Sequence, residues 1–103
     1  MTYKVYSVLD EKTAAFLQPF LARTRGEAIR MFQNTVNNGR DDNMFTKHSG
    51  DYTLFELGEW DDVEGCYTMY QAKVNLGLAT QYKNIEDIIQ HRPQNPNGVD
   101  LTQ

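Results

Sequence analysis

The chain has 103 residues, one cysteine, two histidines and a net charge of −4 at pH 7. That length gives one domain, long enough to bury a core without metals or cross-links. A lone thiol excludes an intramolecular disulfide and suits a reducing compartment, and a pI of about 5.0 excludes the uniformly basic surface of many DNA-coating proteins.

In chain order, Tyr3 to Leu9 is rich in aromatic and β-branched residues and reads as a strand. Both of its faces are apolar, which suits a central position in a sheet. Asp10 to Thr13 is a polar turn, and Ala15 to Leu21 is a second extended segment. Pro19 has no amide hydrogen to donate, so this segment belongs at an edge or breaks there. Thr24-Arg25-Gly26-Glu27 is a capping box. Ala28, Ile29, Phe32 and Val36 follow it at helical spacing, and Asn37-Asn38-Gly39 is a stop signal. The spacing predicts a helix from about Arg25 to Asn37 or Asn38.

Arg40 to Gly50 is polar, with Met44 and Phe45 as anchors onto the core. Tyr52 to Trp60 is the clearest strand. Asp61 to Gly65 makes a hairpin loop, and Cys66 to Tyr70 returns as its partner, with Cys66 expected to pack as a strand thiol. Val74 to Leu78 reads as a short strand or a loop. Asn84 to His91 has a helical pattern of Ile85, Ile88 and Ile89, and residues 92–103 read as a flexible tail. The whole describes one α+β domain over 1–91: an antiparallel sheet of about four strands, one main helix packed on one face, and a short C-terminal helix.

Charge divides the chain. Residues 1–40 carry six Lys/Arg against three Asp/Glu, whereas residues 41–70 carry one Lys against eight Asp/Glu. Arg23, Arg25 and Arg30 gather around the helix start, with Lys4 and Lys12 on or beside the first strand. Free amides at a helix N-terminus attract anions, so arginines placed there suit phosphate. The bland alternative is internal pairing of Arg30 with Asp51, Glu56 or Glu59. Tyrosine tolerates partial exposure and stacks on bases. Tyr6 and Tyr67 are therefore candidates for an outer-face pair, while Phe16, Phe32, Phe55 and Trp60 read as packing. The acids Asp61, Asp62 and Glu64 lack the ligand order of a calcium loop and read as a solvated turn. His48 and His91 have no ligand partner at a metal-binding spacing. No phosphate loop or nucleophile signature is present, so the chain reads as a non-enzyme with no cofactor and no metal. No leader and no stretch of membrane-spanning length is expected.

The residues Phe16-Leu17-Gln18-Pro19-Phe20, Ala28-Ile29-Arg30-Met31-Phe32, Phe45 to His48, Asp51 to Leu54 and Leu57 to Asp62 together resemble a known family. It is the small nonstructural protein of gokushovirus-type microviruses, phages with circular single-stranded DNA genomes. The resemblance covers roughly residues 3–65. It implies a non-capsid phage protein that binds DNA, acts in genome replication or packaging, and works in the cytoplasm of the bacterial host. No catalytic residue comes with it.

The reading from sequence is thus a binder of single-stranded DNA that uses Lys4, Tyr6, Arg23, Arg25, Arg30 and Tyr67, working as a homo-oligomer, a dimer in the first instance. The alternative is a regulator or assembly factor whose acidic 51–64 hairpin engages a phage or host replication protein.

Overall fold

The computed structural model describes residues 1–40 and 42–83. The order is β1 (Thr2–Asp10), β2 (Ala15–Phe16), β3 (Phe20–Ala22), α1 (Arg25–Val36), α2 (Met44–Lys47), β4 (Tyr52–Asp61) and β5 (Cys66–Leu78). Single 3-10 turns lie at Ser49–Asp51 and Ala79–Tyr82. All pairings are antiparallel, in the order β2-β1-β4-β5, with β3 also on β1. The helix pattern over 84–91 and the tail over 92–103 lie outside the described residues.

The sheet has five strands where about four were expected. The second extended segment breaks around Pro19, so β2 pairs with the end of β1 and β3 with its start. Both pieces share one edge of β1, which is where a residue without an amide hydrogen costs least. On the far side, β5 is longer than its sequence signal. It reaches Leu78 by absorbing irregularities. Glu56 pairs with Val74 and Gly58 with Met69, so residues 70–73 stand opposite Leu57 alone. A bulge of this kind bends and twists the strand locally.

Gly58 allows that geometry. A Cβ there would sit 2.5 Å from the Thr68 carbonyl oxygen and 2.8 Å from Met69 Cα. Gly65 closes the β4–β5 loop at φ 66°, a region costly for other residues. Asp61 organises the same loop by accepting from the backbone amides of Val63 at 2.9 Å and Glu64 at 3.3 Å.

Half of the expected capping box forms at the start of α1, and Glu27 reaches one residue further back than the N-cap. Thr24 Oγ1 accepts from the Glu27 amide at 3.1 Å, and the Glu27 carboxylate accepts from the Arg23 amide at 3.5 Å. The helix ends at Val36. There the Asn37 side-chain amide donates to the Gln33 carbonyl at 2.8 Å and to the Tyr82 carbonyl at 2.7 Å. That second bond ties the helix end to the turn after β5.

The core lies between α1 and one face of the sheet. Ala28, Phe32 and Val36 of the helix meet Tyr6, Val8, Tyr52 and Leu54 of β1 and β4, with Ala22 and Ala79 at the margins. Burying each large side chain contributes about 1.5–3 kcal/mol. Phe45 anchors α2 by edge-to-face contacts with Phe32 and Tyr52, while Met44 stays half exposed. Asn43 caps α2 by accepting from the Phe45 amide at 3.0 Å and donates to the Thr35 carbonyl at 2.7 Å. Cys66, expected to pack, is exposed instead. It opens β5 beside the hairpin loop, beyond the reach of the helix.

Candidate functional site

Strand pairing sorts the sheet into two faces. Lys4, Tyr6, Val8 and Asp10 of β1 share the helix side with their partners Glu59, Glu56, Leu54 and Tyr52. Tyr3, Val5, Ser7 and Leu9 point to the other side with Trp60, Gly58, Phe55 and Thr53. No helix among the described residues covers this second face, but the 17–21 segment closes its middle: Val5, Ser7 and Thr53 are buried and Ser7 Oγ donates to the Leu17 carbonyl at 2.6 Å, which leaves the Tyr3–Trp60–Tyr67 end open. Near the β2 edge, Phe16 and Phe55 pack edge to face with centroids 5.6 Å apart, across β1. In the middle lies a shallow apolar depression lined by Val5, Pro19, Leu21, Leu57, Tyr67 and Met69.

At the far end of that face, three aromatic residues form one row. Tyr3 pairs with Trp60, and Trp60 pairs with Tyr67. The Trp60 and Tyr67 rings lie 4.7 Å apart at 48°, and Tyr67 is 59% exposed. Adjacent strands stand about 4.8 Å apart, so the three side chains span roughly 10 Å across the sheet. Val5 pairs with Leu21 and Lys4 with Ala22. One further step of that register sets Arg23, just past β3, at the level of Tyr3. Arg23 is exposed and its guanidinium has no ion-pair partner among the described residues.

The helix side of the same arm is polar, and its charged groups are paired. Glu56 is 3% exposed and accepts from Arg25 Nε at 3.0 Å and from the Tyr70 hydroxyl at 2.7 Å. Lys4 donates to Glu59 at 2.9 Å and to the Tyr70 hydroxyl at 3.4 Å. Burial works to raise the Glu56 pKa, but the bonds from Arg25 and Tyr70 and the nearby cations outweigh it and hold the carboxyl below its ordinary value. The bond from Lys4 to Glu59 raises the lysine. The Tyr6 hydroxyl is fully enclosed beside the Glu56 carboxylate without closing a hydrogen bond of normal geometry. Desolvation first, and the Glu56 charge second, push its pKa to about 12.

These placements divide the residues singled out from the sequence. Tyr67 lies on the uncovered face at one end of the row, and the β3 register sets Arg23 beyond Tyr3 at the other. Arg30 stands exposed on the outer side of α1, unpaired among the described residues; its alternative pairing with Asp51, Glu56 or Glu59 does not form. Lys4 and Arg25 are committed to Glu59 and Glu56 and are not free phosphate ligands. Tyr6 is 0% exposed and stacks on Phe20 in the core, so it offers no ring to a base. The outer-face partner of Tyr67 is Trp60, which the sequence reading assigned to packing. A symmetric hairpin count gives the pairing: with Asp61 opposite Cys66, Trp60 must face Tyr67. The missing element was the knowledge of which sheet face the helix leaves bare.

The acidic loop is partly neutralised. The Met1 amino group bonds Asp62 at 2.6 Å, which raises the amine. The two backbone amides from Val63 and Glu64 lower the Asp61 carboxyl. Among the described residues no three of His, Cys, Asp and Glu converge in a metal-binding cluster, and no helix is long and apolar enough to cross a membrane.

The fold and this face define a small α+β protein with a five-stranded antiparallel sheet centred on β1 and β4, one face packed by a helix and the other bearing an aromatic row. Residues 3–82 match the family described as Phage ORF5 protein, and the chain belongs to that phage protein family. Comparison with curated proteins and with solved structures finds no match for it.

Proposed function

We propose that this phage protein binds single-stranded DNA without catalysis, on the uncovered sheet face, during replication or packaging of the viral genome in the host cytoplasm. The observation that carries the reading is the row Tyr3–Trp60–Tyr67 on three adjacent strands, with unpaired Arg23 at its end. Bases stack on such rings whatever their sequence, at about 1–3 kcal/mol per base. A guanidinium at the end of the row meets the phosphate that follows a stacked base. Duplex DNA hides the faces of its bases inside the helix, so the row selects single strands. The resemblance to microvirus nonstructural proteins supports the same substrate.

Only a few cations are free to act. Arg23 and Arg30 carry no ion pair among the described residues, whereas Lys4 and Arg25 do. Affinity per protomer is therefore modest. Each cation that meets a phosphate contributes about −0.7 to the slope of log affinity against log salt; Arg30 lies on the outer side of the helix, away from the row, so Arg23 alone gives a slope near −0.7.

A gel-shift titration in low salt tests this reading, with oligo(dT) against a duplex of equal length. The expected result is retardation of the single strand only, weakened roughly tenfold by Tyr67→Ala. Failure to retard oligo(dT) at micromolar protein would overturn the reading and turn attention to the 51–64 hairpin. There Val63 is 80% exposed between Asp62 and Glu64, an arrangement that suits a basic protein surface.

A further inference from the structure

We infer that two copies of this chain join edge to edge through the start of β5, so that their sheets and aromatic rows run on from one copy into the other. The two edges of the sheet differ. On one side, β2 and β3 are pieces of two and three residues with Pro19 between them, and short, proline-broken strands are a common protection against further pairing. On the other side, β5 runs for 13 residues and no described strand lies beyond it. Its opening stretch, Cys66 to Met69, pairs with β4 without a register shift and is exposed. No charge and no proline occurs from Cys66 to Ala72, so the side chains that usually defend an edge are missing there.

Geometry selects the occupant. The usable stretch is short, bounded by the 62–65 loop at one end and by the bulge over 70–73 at the other. A long foreign strand would run into the bulge, whereas a second β5 ends at its own loop where the bulge begins. A two-fold axis perpendicular to the sheet sets the two β5 strands antiparallel and continues each face on the same side. Directly opposed residues then share a face, so the register sets Tyr67 of one copy against Tyr67 or Met69 of the other. Residues 70–73 all stand one step past Met69, opposite Leu57. In either register Lys73 therefore comes level with Glu64 or Cys66 of the second copy. Lys73 and Glu64 are exposed, and neither makes an ion pair among the described residues. Within one chain they lie roughly 20 Å apart along the strand, so the two charges meet only across the seam. The symmetry makes this contact twice. It also closes both free edges at once and leaves only the Pro19 edges outermost.

The contact is small. Four residues per copy give about four backbone hydrogen bonds, so association is weak, with dissociation in the micromolar range. Its consequence is a longer platform: six rings on six adjacent strands span roughly 24 Å, with Arg23 beyond each end. The edge pairing does not depend on DNA binding, whereas the use of the longer platform rests on the function proposed above.

Sedimentation equilibrium of the full chain tests the inference, up to high-micromolar protein and at low and high salt. The wild type is expected to approach twice its 11.9 kDa mass as concentration rises, less readily in high salt because the Lys73–Glu64 pairs are screened. Lys73→Glu sets carboxylate against carboxylate, and Glu64→Lys sets ammonium against ammonium. Each should weaken the dimer roughly tenfold, while Lys73→Glu with Glu64→Lys restores it with the charges exchanged. Circular dichroism checks that each variant stays folded. Cys66, the only cysteine, checks the placement: a bismaleimide spanning about 15 Å should link two copies through it, and Cys66→Ser should not be linked. A wild type that keeps the single-chain mass overturns the inference. So do folded single-charge variants that dimerise as tightly as the wild type, a charge exchange that fails to restore the dimer, or a dimer that Cys66 does not cross-link. All of these readings are made without DNA, so failure of the dimer and failure of DNA binding are told apart.

Discussion

At the scale of single residues, two polar groups on the helix side of the sheet set the pH range of the fold. Glu56 is held as a carboxylate by Arg25 and Tyr70, with its pKa below the ordinary 4.5. As pH falls, the unfolded chain takes up this proton first. The stability Glu56 provides is therefore present above pH 4.5 and is lost as pH drops through its lower folded value. Glu56→Gln should cost about 1–3 kcal/mol at neutral pH and flatten the acid limb, which urea melts at several pH values would show. Tyr6 behaves in the opposite sense. Its folded pKa lies at about 12 against an ordinary 10.0, so the protein loses stability as pH rises from about 10 towards 12. Because the buried hydroxyl closes no hydrogen bond, Tyr6→Phe should change neutral stability by less than about 1 kcal/mol or raise it, and should weaken that alkaline loss. A thermal-melt series from pH 7 to pH 11 checks both statements. Residue types alone revealed the tyrosines and the arginines but not their roles. Tyr6 and Tyr67 look alike in sequence. Only the face on which each strand position falls puts one under the helix and the other in water.

At the scale of elements, local signals carried furthest where they were chemical. The helix cap at Thr24, the break at Pro19 and the turn at Gly65 all appear where their backbone chemistry favoured them. The reach of β5 was not legible. Its continuation past Tyr70 depends on a four-residue bulge, held partly by the Tyr70–Glu56 bond across strands, and no local propensity encodes such a partner. Gly58 is where this arrangement is most sensitive. Gly58→Ala would drive a methyl group into the Thr68 carbonyl and the Met69 backbone. The expected cost is about 1–3 kcal/mol, with the loss concentrated in the β4–β5 arm. Hydrogen exchange should show faster exchange of amides in 59–61 and 66–69 than in α1; equal exchange throughout the chain would contradict the role given to this contact.

At the scale of the whole molecule, the proposed single-stranded DNA ligand must be reconciled with an acidic protein, and placement of the charges decides how. Lys4, Lys12 and Arg25 are spent on neighbouring carboxylates, so the basic character of the first forty residues does not become a basic surface. What remains is an uncharged sheet face with aromatic rings at one end and unpaired Arg23 at the margin. On the proposed reading, single-stranded DNA meets such a face by stacking first and charge second, with a shallow salt slope. Trp60 is the only tryptophan and lies within the row, so it reports on contact directly. The decisive measurement is a titration of Trp60 fluorescence with oligo(dT) in low salt. The account predicts saturable quenching that duplex DNA does not produce and that Tyr67→Ala with Arg23→Ala largely abolishes. Unchanged Trp60 emission throughout the titration, from a protein shown to be folded, would contradict it.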